Sequence, residues 1–431
     1  VVVIILVLSF ALFLIIGVPI AFVLGLTPLL ALLYQGETPL ALAAQQIFTA
    51  IDNPVLMAIP FFILAGNIMG TGGLTKRLVT FCKVLVGPIR GGLAFVNVVI
   101  SMIFAGITGA AVADTSAIGS ILIPAMEREG YDVDFSSAVT ATSSTIGPVI
   151  PPSIPFIIYG VLGEVSIASL FLAGFIPGLL LGLFQMGVVA CYARKRNYPK
   201  GSVPSVREAL RAILDAGLVL LMPVIILGGI LSGVFTPTES ACIAVFYAFT
   251  ISFFVYRDIR LRDLPRIIID TATTSALVML VIGTASIFSW LLASEEIPQS
   301  VCAGILKVTQ NRILILLLVN IFLLLVGTFM ETTASLIILT PVLLPLMTQI
   351  GVDPLHFGVI LVLNLVIGLT TPPVGVCLFI ACGIGKISLE RISRAILPFI
   401  LASIAVLVIA TYWEWLIMFI PKYFGYVPLI R

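Results

Sequence analysis

The residues that could do chemistry sit inside otherwise apolar stretches. Two are carboxylates: Asp114 in A-G-I-T-G-A-A-V-A-D-T-S-A (105–117) and Glu331 in V-G-T-F-M-E-T-T-A-S (326–335). Acids at membrane depth are costly and usually functional. Each also stands where a helix N-cap would stand, before T-S-A or T-T-A, so ligand and cap are both open readings. Glu331 lies closer to its glycine break, and the ligand role is expected there. Two more breaks carry proline pairs, T-I-G-P-V-I-P-P-S-I-P (145–155) and G-L-T-T-P-P-V-G (368–375). Proline has no N–H, so the carbonyl four residues before it loses its helical partner. By this rule Pro148 frees Ser144, Pro151 frees Gly147 and Pro155 frees Pro151; Pro372 frees Gly368 and Pro373 frees Leu369. With the hydroxyls of Thr108, Ser143, Ser144, Thr145, Thr328, Thr370 and Thr371, these are hard oxygen ligands suited to Na⁺. The alternative is that the prolines only kink helices and the hydroxyls bond back to them. Four paired breaks favour ion sites.

The elements holding these breaks must be membrane helices. The chain has 431 residues, 60% of them hydrophobic and 10% charged, with a mean hydropathy of +1.25. Soluble domains carry about a quarter charged residues, so the solvent of this chain is lipid. A net charge of +2 leaves no electrostatic footprint for nucleic acid. The six cysteines (Cys82, Cys191, Cys242, Cys302, Cys377 and Cys382) form no C-x-x-C pair and read as buried small hydrophobes. The lone histidine, His356, argues against a His-based metal site or triad and is expected in a loop or interface. H-E-x-x-H, P-loop and G-x-S-x-G patterns are missing, which argues against a membrane-embedded enzyme. The opening apolar run lacks a basic flank and cleavage site, and reads as a span rather than a signal peptide.

Spans of about 20 apolar residues organise the chain. Residues 1–34 are two spans or one strongly kinked span, broken at Gly17 and Pro19. An interfacial arm (38–51), a span (54–70) and a basic amphipathic stretch with Lys76, Arg77, Lys83 and Arg90 follow. A re-entrant hairpin (92–126), a broken span (135–160) and a full span (166–193) complete the first repeat, 1–193. A basic linker (194–211) leads to the second repeat, 212–431. It holds spans at 216–234 and 239–256, an arm at 257–266, a span at 271–293 and an arm at 297–311. A hairpin (313–350), a broken span (355–385) and a final span (395–420) close it. Tyr412, Trp413, Trp415 and Tyr423 form an expected interface belt. T-P-T-E-S (236–240) reads as a capping box with Pro237 at N1.

The halves repeat one another. Asp114 precedes Pro124 by ten positions and Glu331 precedes Pro341 by ten; Gly147 and Gly368 each precede a Pro-Pro pair by four. The basic loops at 194–211, 257–266 and 386–394 are expected in the cytoplasm. Counting spans from them opens the first hairpin to the cytoplasm and the second to the periplasm, so the repeats are inverted. The fold class is therefore all-α polytopic, with inverted repeats, two re-entrant hairpins and two broken helices.

The stretch G-A-A-V-A-D-T-S-A-I-G-S-I-L-I-P-A-M-E-R-E-G-Y (109–131), with I-G-P-V-I-P-P-S-I (146–154), F-I-P-G (175–178), G-V-F-T-P-T-E-S-A (233–241) and L-T-T-P-P-V-G (369–375), resembles the large (M, DctM-like) membrane subunit of tripartite ATP-independent periplasmic (TRAP) transporters. The resemblance covers essentially the whole chain. It implies an elevator carrier of the bacterial inner membrane, with a scaffold and a transport domain built on the hairpins and broken helices. It implies Na⁺ as coupling ion and no organic cofactor. The implied partners are a small membrane subunit (Q) and a periplasmic substrate-binding protein (P) that delivers an organic anion. By resemblance one Na⁺ site falls at Thr108, Gly147, Ile150 and Pro152, and another at Gly327, Thr328, Gly368, Thr371 and Val374. The substrate falls near Ala110, Ser153, Pro155 and Glu331. Sialic-acid members tend to carry S-G-S in the first hairpin tip and an Asp in the second. Here T-G-A (108–110) and Glu331 stand in those places, which favours a small carboxylate such as a C4-dicarboxylate. The alternatives are a TRAP carrier for sialic acid or another sugar acid, and a binding-protein-independent divalent-anion/Na⁺ symporter of the same architecture.

Overall fold

The computed structural model describes residues 1–36, 38–71 and 73–426. Their regular structure is helical, and eight helical stretches are long and apolar enough to cross a membrane. The apolar opening is two helices, α1 (Val2–Ile16) and α2 (Ile20–Gln35). Gly17 ends α1 in the left-handed region at φ 85°, where a side chain would strain the backbone, and Pro19 caps α2. The arm is α3 (Leu40–Ile51); α4 (Ala58–Thr71) and the amphipathic α5 (Leu74–Val86) follow. The first hairpin is α6 (Gly92–Thr108) and α7 (Ala111–Arg128), turning at Gly109 and Ala110. The first broken span is α8 (Val133–Ser143) and α9 (Ile154–Leu162), and α10 runs Ile167–Lys195.

The second half contains α11 (Val206–Leu231), α12 (Pro237–Thr250), α13 (Leu264–Ser294), α14 (Ile297–Val308), α15 (Arg312–Phe329), α16 (Thr332–Gln349), α17 (Pro354–Gly368), α18 (Val376–Gly385), α19 (Leu389–Tyr412) and α20 (Glu414–Tyr423). Several boundaries differ from the sequence reading. The last span is two helices divided at Trp413, not one over 395–420. Of the arm expected at 257–266, residues 264–266 enter the start of α13, where Pro265 fits the first turn, and Leu261–Asp263 form a 3₁₀ turn ahead of it. The connection between halves is shorter than 194–211, since α10 continues to Lys195 and α11 starts at Val206 behind a Ser205–Glu208 capping box.

Packing sorts the helices into two groups. One group, the scaffold of the sequence reading, comprises α1–α5 and α11–α13, with α4 against α12 and α2 against α13, and α14 bridges from α13 to α16. The second group comprises α6–α10 and α15–α20. Within it the halves interlock: α7 packs on α18 while α16 packs on α9, and α8 packs on α19 while α10 packs on α17. Each pairing is its partner's image under exchange of the repeats, as an inverted repeat requires.

The first hairpin meets the scaffold through small residues. A Cβ on Gly66 of α4 would lie 3.4 Å from Thr108 Cα, and one on Gly106 would lie 2.9 Å from the Pro223 ring of α11. Buried amides brace the other side of each hairpin. Asn97 of α6 donates to Thr140 of α8 at 2.6 Å and accepts from Ser143 at 3.2 Å. Asn320 of α15 accepts from Asn364 of α17 at 2.8 Å and donates to Thr411 of α19 at 3.0 Å. These amides carry no special spacing; a lone Asn in an apolar run is the signal that could have found them.

The capping box at Thr236 forms, with both reciprocal bonds to Glu239 present. His356 is not in a loop: it is fully buried in the first turn of α17, its Nε2 2.7 Å from the Ala410 carbonyl. Four cysteines are buried as expected, but Cys191 and Cys242 are exposed on the surfaces of α10 and α12. Tyr412, Trp413, Trp415 and Tyr423 all project from the surface around the α19–α20 junction.

Candidate ion and substrate site

Each hairpin tip is pressed onto the break of a broken span. In the first half, a Cβ on Gly109 would lie 2.8 Å from the Pro152 carbonyl oxygen and 3.3 Å from the Ile154 nitrogen. Gly109 also adopts φ 60°, so glycine is required twice over. In the second half, a Cβ on Gly368 would collide with the backbone of Gly327, and one on Gly327 would lie 3.1 Å from the Leu365 oxygen. The Gly375 N–H donates to the Thr328 carbonyl at 3.1 Å, tying the break to the tip. Both Pro-Pro bonds, Pro151-Pro152 and Pro372-Pro373, are cis.

Asp114 organises the first cluster. Its carboxylate is fully buried and accepts a hydrogen bond from the Thr108 hydroxyl through Oδ1. Its Oδ2 receives no hydrogen bond among the described residues, and it lies so close to Gly147 that a Cβ there would overlap it. Asp114 thus joins Thr108 to Gly147. Ile150 and Pro152 continue the same break, with Pro152 under the hairpin tip. The Gly147, Ile150 and Pro151 carbonyls accept no hydrogen bond from a described residue. Two of the three releases expected from the prolines therefore hold here. The Ser144 carbonyl does not go free: the chain tightens into a 3₁₀ turn and Gly147 N–H takes it at 3.2 Å. Ser143, Ser144 and Thr145 donate back to the carbonyls of Thr140 or Thr142, so their hydroxyls brace the helix.

The second cluster brings Gly327, Thr328, Gly368, Thr371 and Val374 together. Its free carbonyls differ from those expected. Thr371 N–H takes the Gly368 oxygen at 2.9 Å and Cys377 N–H takes that of Leu369 at 3.0 Å. The carbonyls of Gly327, Thr371 and Val374 accept no hydrogen bond from a described residue. The hydroxyls of Thr328, Thr370 and Thr371 bond to the Leu325 or Ile367 carbonyls.

The residues expected around a substrate are brought together in part. Ala110 is the half-buried N-cap of α7, beside the Gly109 contact with the Pro152–Ile154 backbone. Ser153 is the buried N-cap of α9, accepting from Phe156 N–H at 3.2 Å and donating to the Pro148 carbonyl. Pro155 is buried in the same first turn. Glu331 caps α16, the helix that packs on α9. Its carboxylate accepts from Thr333 N–H at 2.8 Å, Ala334 N–H at 3.2 Å and the Thr333 hydroxyl at 3.0 Å.

The two acids therefore exchange the emphasis the sequence placed on them. Asp114 does not cap its helix; Ala110 does, and Asp114 lies inside the first turn. A buried carboxylate oxygen without a donor, against a break whose carbonyls are open, offers hard oxygen donors of the kind that can hold a small cation. No group of three or more His, Cys, Asp or Glu side chains that could hold a metal ion occurs among the described residues.

Comparison with known proteins places this architecture. Residues 7–416 match the model for the tripartite ATP-independent periplasmic transporter DctM component. The isethionate TRAP transporter permease DctMQ of Oleidesulfovibrio alaskensis is 44% identical over 96% of this chain, which spans 65% of that protein's length. The sialic acid TRAP transporter large permease SiaM of Vibrio cholerae is 40% identical, covering 95% of this chain and 96% of its own. The C4-dicarboxylate TRAP transporter large permease DctM of Rhodobacter capsulatus is 38% identical, with 95% and 96% covered. The crystal structure of the Alcanivorax borkumensis YdaH transporter shares the fold, with a TM-score of 0.62 at 15% identity over 89% of each chain. This chain belongs to the DctM family of TRAP transporter large permeases, and is a multi-pass membrane transport protein rather than an enzyme.

Proposed function

We propose that this permease carries out Na⁺-coupled uptake of an organic acid anion through the inner membrane by an elevator movement of the hairpin-bearing group against the scaffold. The observation that carries the reading is the buried Asp114 carboxylate, with one oxygen given no donor, against Gly147 in a break where the Gly147 and Ile150 carbonyls are open. A cation there compensates a charge that is otherwise costly at this depth. Asp114, Thr108, Gly147, Ile150 and Pro152 form the first Na⁺ site in this reading. Gly327, Thr328, Gly368, Thr371 and Val374 form the second. Na⁺ supplies charge compensation and ties each hairpin tip to its broken helix; Thr108 and Gly109 present the first tip, and Gly327 the second.

The substrate lies near Ala110, Ser153, Pro155 and Glu331, and we assign it to the small carboxylates, C4-dicarboxylates first. A small membrane subunit and a periplasmic binding protein complete the transporter. Relatives named for C4-dicarboxylate, sialic acid and isethionate all handle organic anions, which supports the class. The test is uptake in proteoliposomes holding this chain and its small subunit, with Na⁺ or K⁺ outside, with and without the binding protein. Uptake is expected only with Na⁺ and the binding protein, and for the C4-dicarboxylate of a panel that includes isethionate and sialic acid. Equal uptake in K⁺ removes the coupling; equal uptake without the binding protein removes the tripartite reading.

A further inference from the structure

Two connections cross between the scaffold group and the hairpin group on the side that the basic loops mark as cytoplasmic. Residues 87–91 join α5 to α6, and residues 196–205 join α10 to α11. They run antiparallel against each other. Gly91 N–H donates to the Pro199 carbonyl at 3.0 Å, Gly201 N–H donates to the Gly87 carbonyl at 3.2 Å, and Arg90 and Lys200 form a β-bridge. The approach is close enough to need glycine: a Cβ on Gly201 would lie 2.5 Å from the Gly87 oxygen, and Gly91 has φ 79°.

Beside this clip lies a cleft of about 510 Å³. Arg90, Arg194 and Lys200 line it, together with Ile89, Phe95 and Ala190. None of the three cations has a carboxylate within 4.0 Å among the described residues, although nearby acids are engaged elsewhere. Asp132 and Asp134 bind Arg196 at 2.7 and 3.6 Å, and Glu129 faces Lys83 at 3.7 Å. Arg90 is held by a neutral partner, donating to Asn197 Oδ1 at 2.8 Å. That bond fixes the guanidinium without neutralising it. Ala190 and Phe95 lie one helical turn deeper in α10 and α6 than Arg194 and Gly91, about 6 Å further along each helix axis. The cleft is therefore cationic at its rim and apolar toward the membrane core.

We propose that this cleft binds an anionic phospholipid of the cytoplasmic leaflet, its phosphate on Arg90, Arg194 and Lys200 and the start of an acyl chain along Phe95 and Ala190. Uncompensated cations at the membrane surface recognise such headgroups at about 1 kcal/mol each. The apolar floor selects a lipid over free phosphate. The occupant touches both connections at once, so it bridges the two helix groups at the point where the chain passes between them.

The test is independent of uptake. The purified chain in detergent is titrated with phosphatidylglycerol and with phosphatidylcholine of the same acyl chains, and bound lipid is counted by native mass spectrometry. Wild-type protein is expected to prefer phosphatidylglycerol at least about ten-fold, and the triple variant R90Q/R194Q/K200Q to lose that preference. Each single Gln variant, at an exposed position, is expected to lower it about three- to five-fold with an unchanged melting temperature. The single variants carry the test if the triple variant is not recovered folded. Equal binding of the two lipids by wild type overturns the proposal, as does undiminished preference in the variants. Displacement of the lipid by excess inorganic phosphate also overturns it, by making the site one for free phosphate.

Discussion

The two hairpins carry their acids at the same distance from a proline, yet the acids do different work. Asp114 and Glu331 both stand ten residues before a proline inside the returning helix. The N-cap of α7 is Ala110, fourteen residues before Pro124, whereas the N-cap of α16 is Glu331 itself. Both helices start three residues after the preceding arm ends, so the first runs one turn further from its start to its proline, and its acid lies that turn deeper in the helix. One turn moves the acid from the helix end, where backbone N–H groups satisfy it, into a side-facing position where they cannot. Glu331 consequently has three donors and an exposed side chain, while Asp114 is sealed between Thr108 and Gly147 with one oxygen unpaired. Symmetry of sequence spacing does not guarantee symmetry of role; the register of the helix start decides it.

The largest expected effect separates these acids directly. Asp114→Asn keeps size and hydrogen-bonding capacity but removes the charge on which the proposed ion site depends. Na⁺-dependent uptake in proteoliposomes is expected to fall at least about 100-fold, by analogy with the upper range for perturbed metal sites, with folded protein still recovered. Retained uptake with an unchanged Na⁺ half-saturation would assign Asp114 to packing alone and erase the difference between the halves.

The next comparison uses the glycines of the two breaks. A methyl on Gly147 meets a side-chain atom, the Asp114 oxygen that has no donor; a methyl on Gly368 meets the backbone of Gly327, which cannot move aside. Gly147→Ala is therefore expected to raise the Na⁺ half-saturation about ten-fold with little change in melting temperature. Gly368→Ala is expected to cost about 1–3 kcal/mol of stability from overpacking. Thermal unfolding in detergent, read beside Na⁺-dependent uptake, distinguishes them. Equal destabilisation by both would show that the first cluster is as rigid as the second.

Much of this was legible before any coordinates. Pro-Pro pairs and glycines inside apolar runs located all four breaks, because proline and glycine act on their own backbone regardless of tertiary context. Which carbonyls stay free was less legible. The chain around Ser144, Gly368 and Leu369 folds into turns whose own N–H groups reclaim those oxygens, and a rule that counts only lost helical bonds cannot see that. The role of Asp114 was hidden for a related reason. D-T-S reads locally as a cap, and Ala110, with no side-chain acceptor, gives no sign that the helix has already begun. The contacts of Gly106 with Pro223 and of Gly66 with Thr108 join residues far apart in sequence, with no local pattern to announce them.

A matched pair tests where the halves are alike. Asn97 and Asn320 each tie an entering hairpin arm to the first segment of its broken span. Asn97→Ala removes one hydrogen bond each from Thr140 and Ser143, whose hydroxyls keep the Ser136 and Thr140 carbonyls; Asn320→Ala removes one from Asn364, which keeps the Ile360 carbonyl, and the bond to the Thr411 hydroxyl. Each is expected to cost about 1–3 kcal/mol in thermal unfolding. A loss confined to one of them would show that only one hairpin depends on its amide brace.

The smallest expected effect falls on Glu331. Glu331→Gln retains a side-chain carbonyl that can accept from Thr333 and Ala334 N–H, so the cap should survive. Complete truncation to Ala would cost about 1 kcal/mol, and the amide less. No unpaired carboxylate oxygen is exposed by the change, because both oxygens already have donors within their own turn. The Na⁺ half-saturation is therefore expected to stay within about two-fold of wild type, where the corresponding change at a metal-site residue costs about ten-fold or more. If Glu331 also meets the substrate, as the packing of α16 on α9 supports, the loss appears in the half-saturation for the carboxylate substrate. The measurement is initial uptake rate against Na⁺ and against substrate, in separate titrations of the same variant. A large shift in the Na⁺ curve would move Glu331 into the ion site, and the helix start of α16 would no longer explain why the two acids differ.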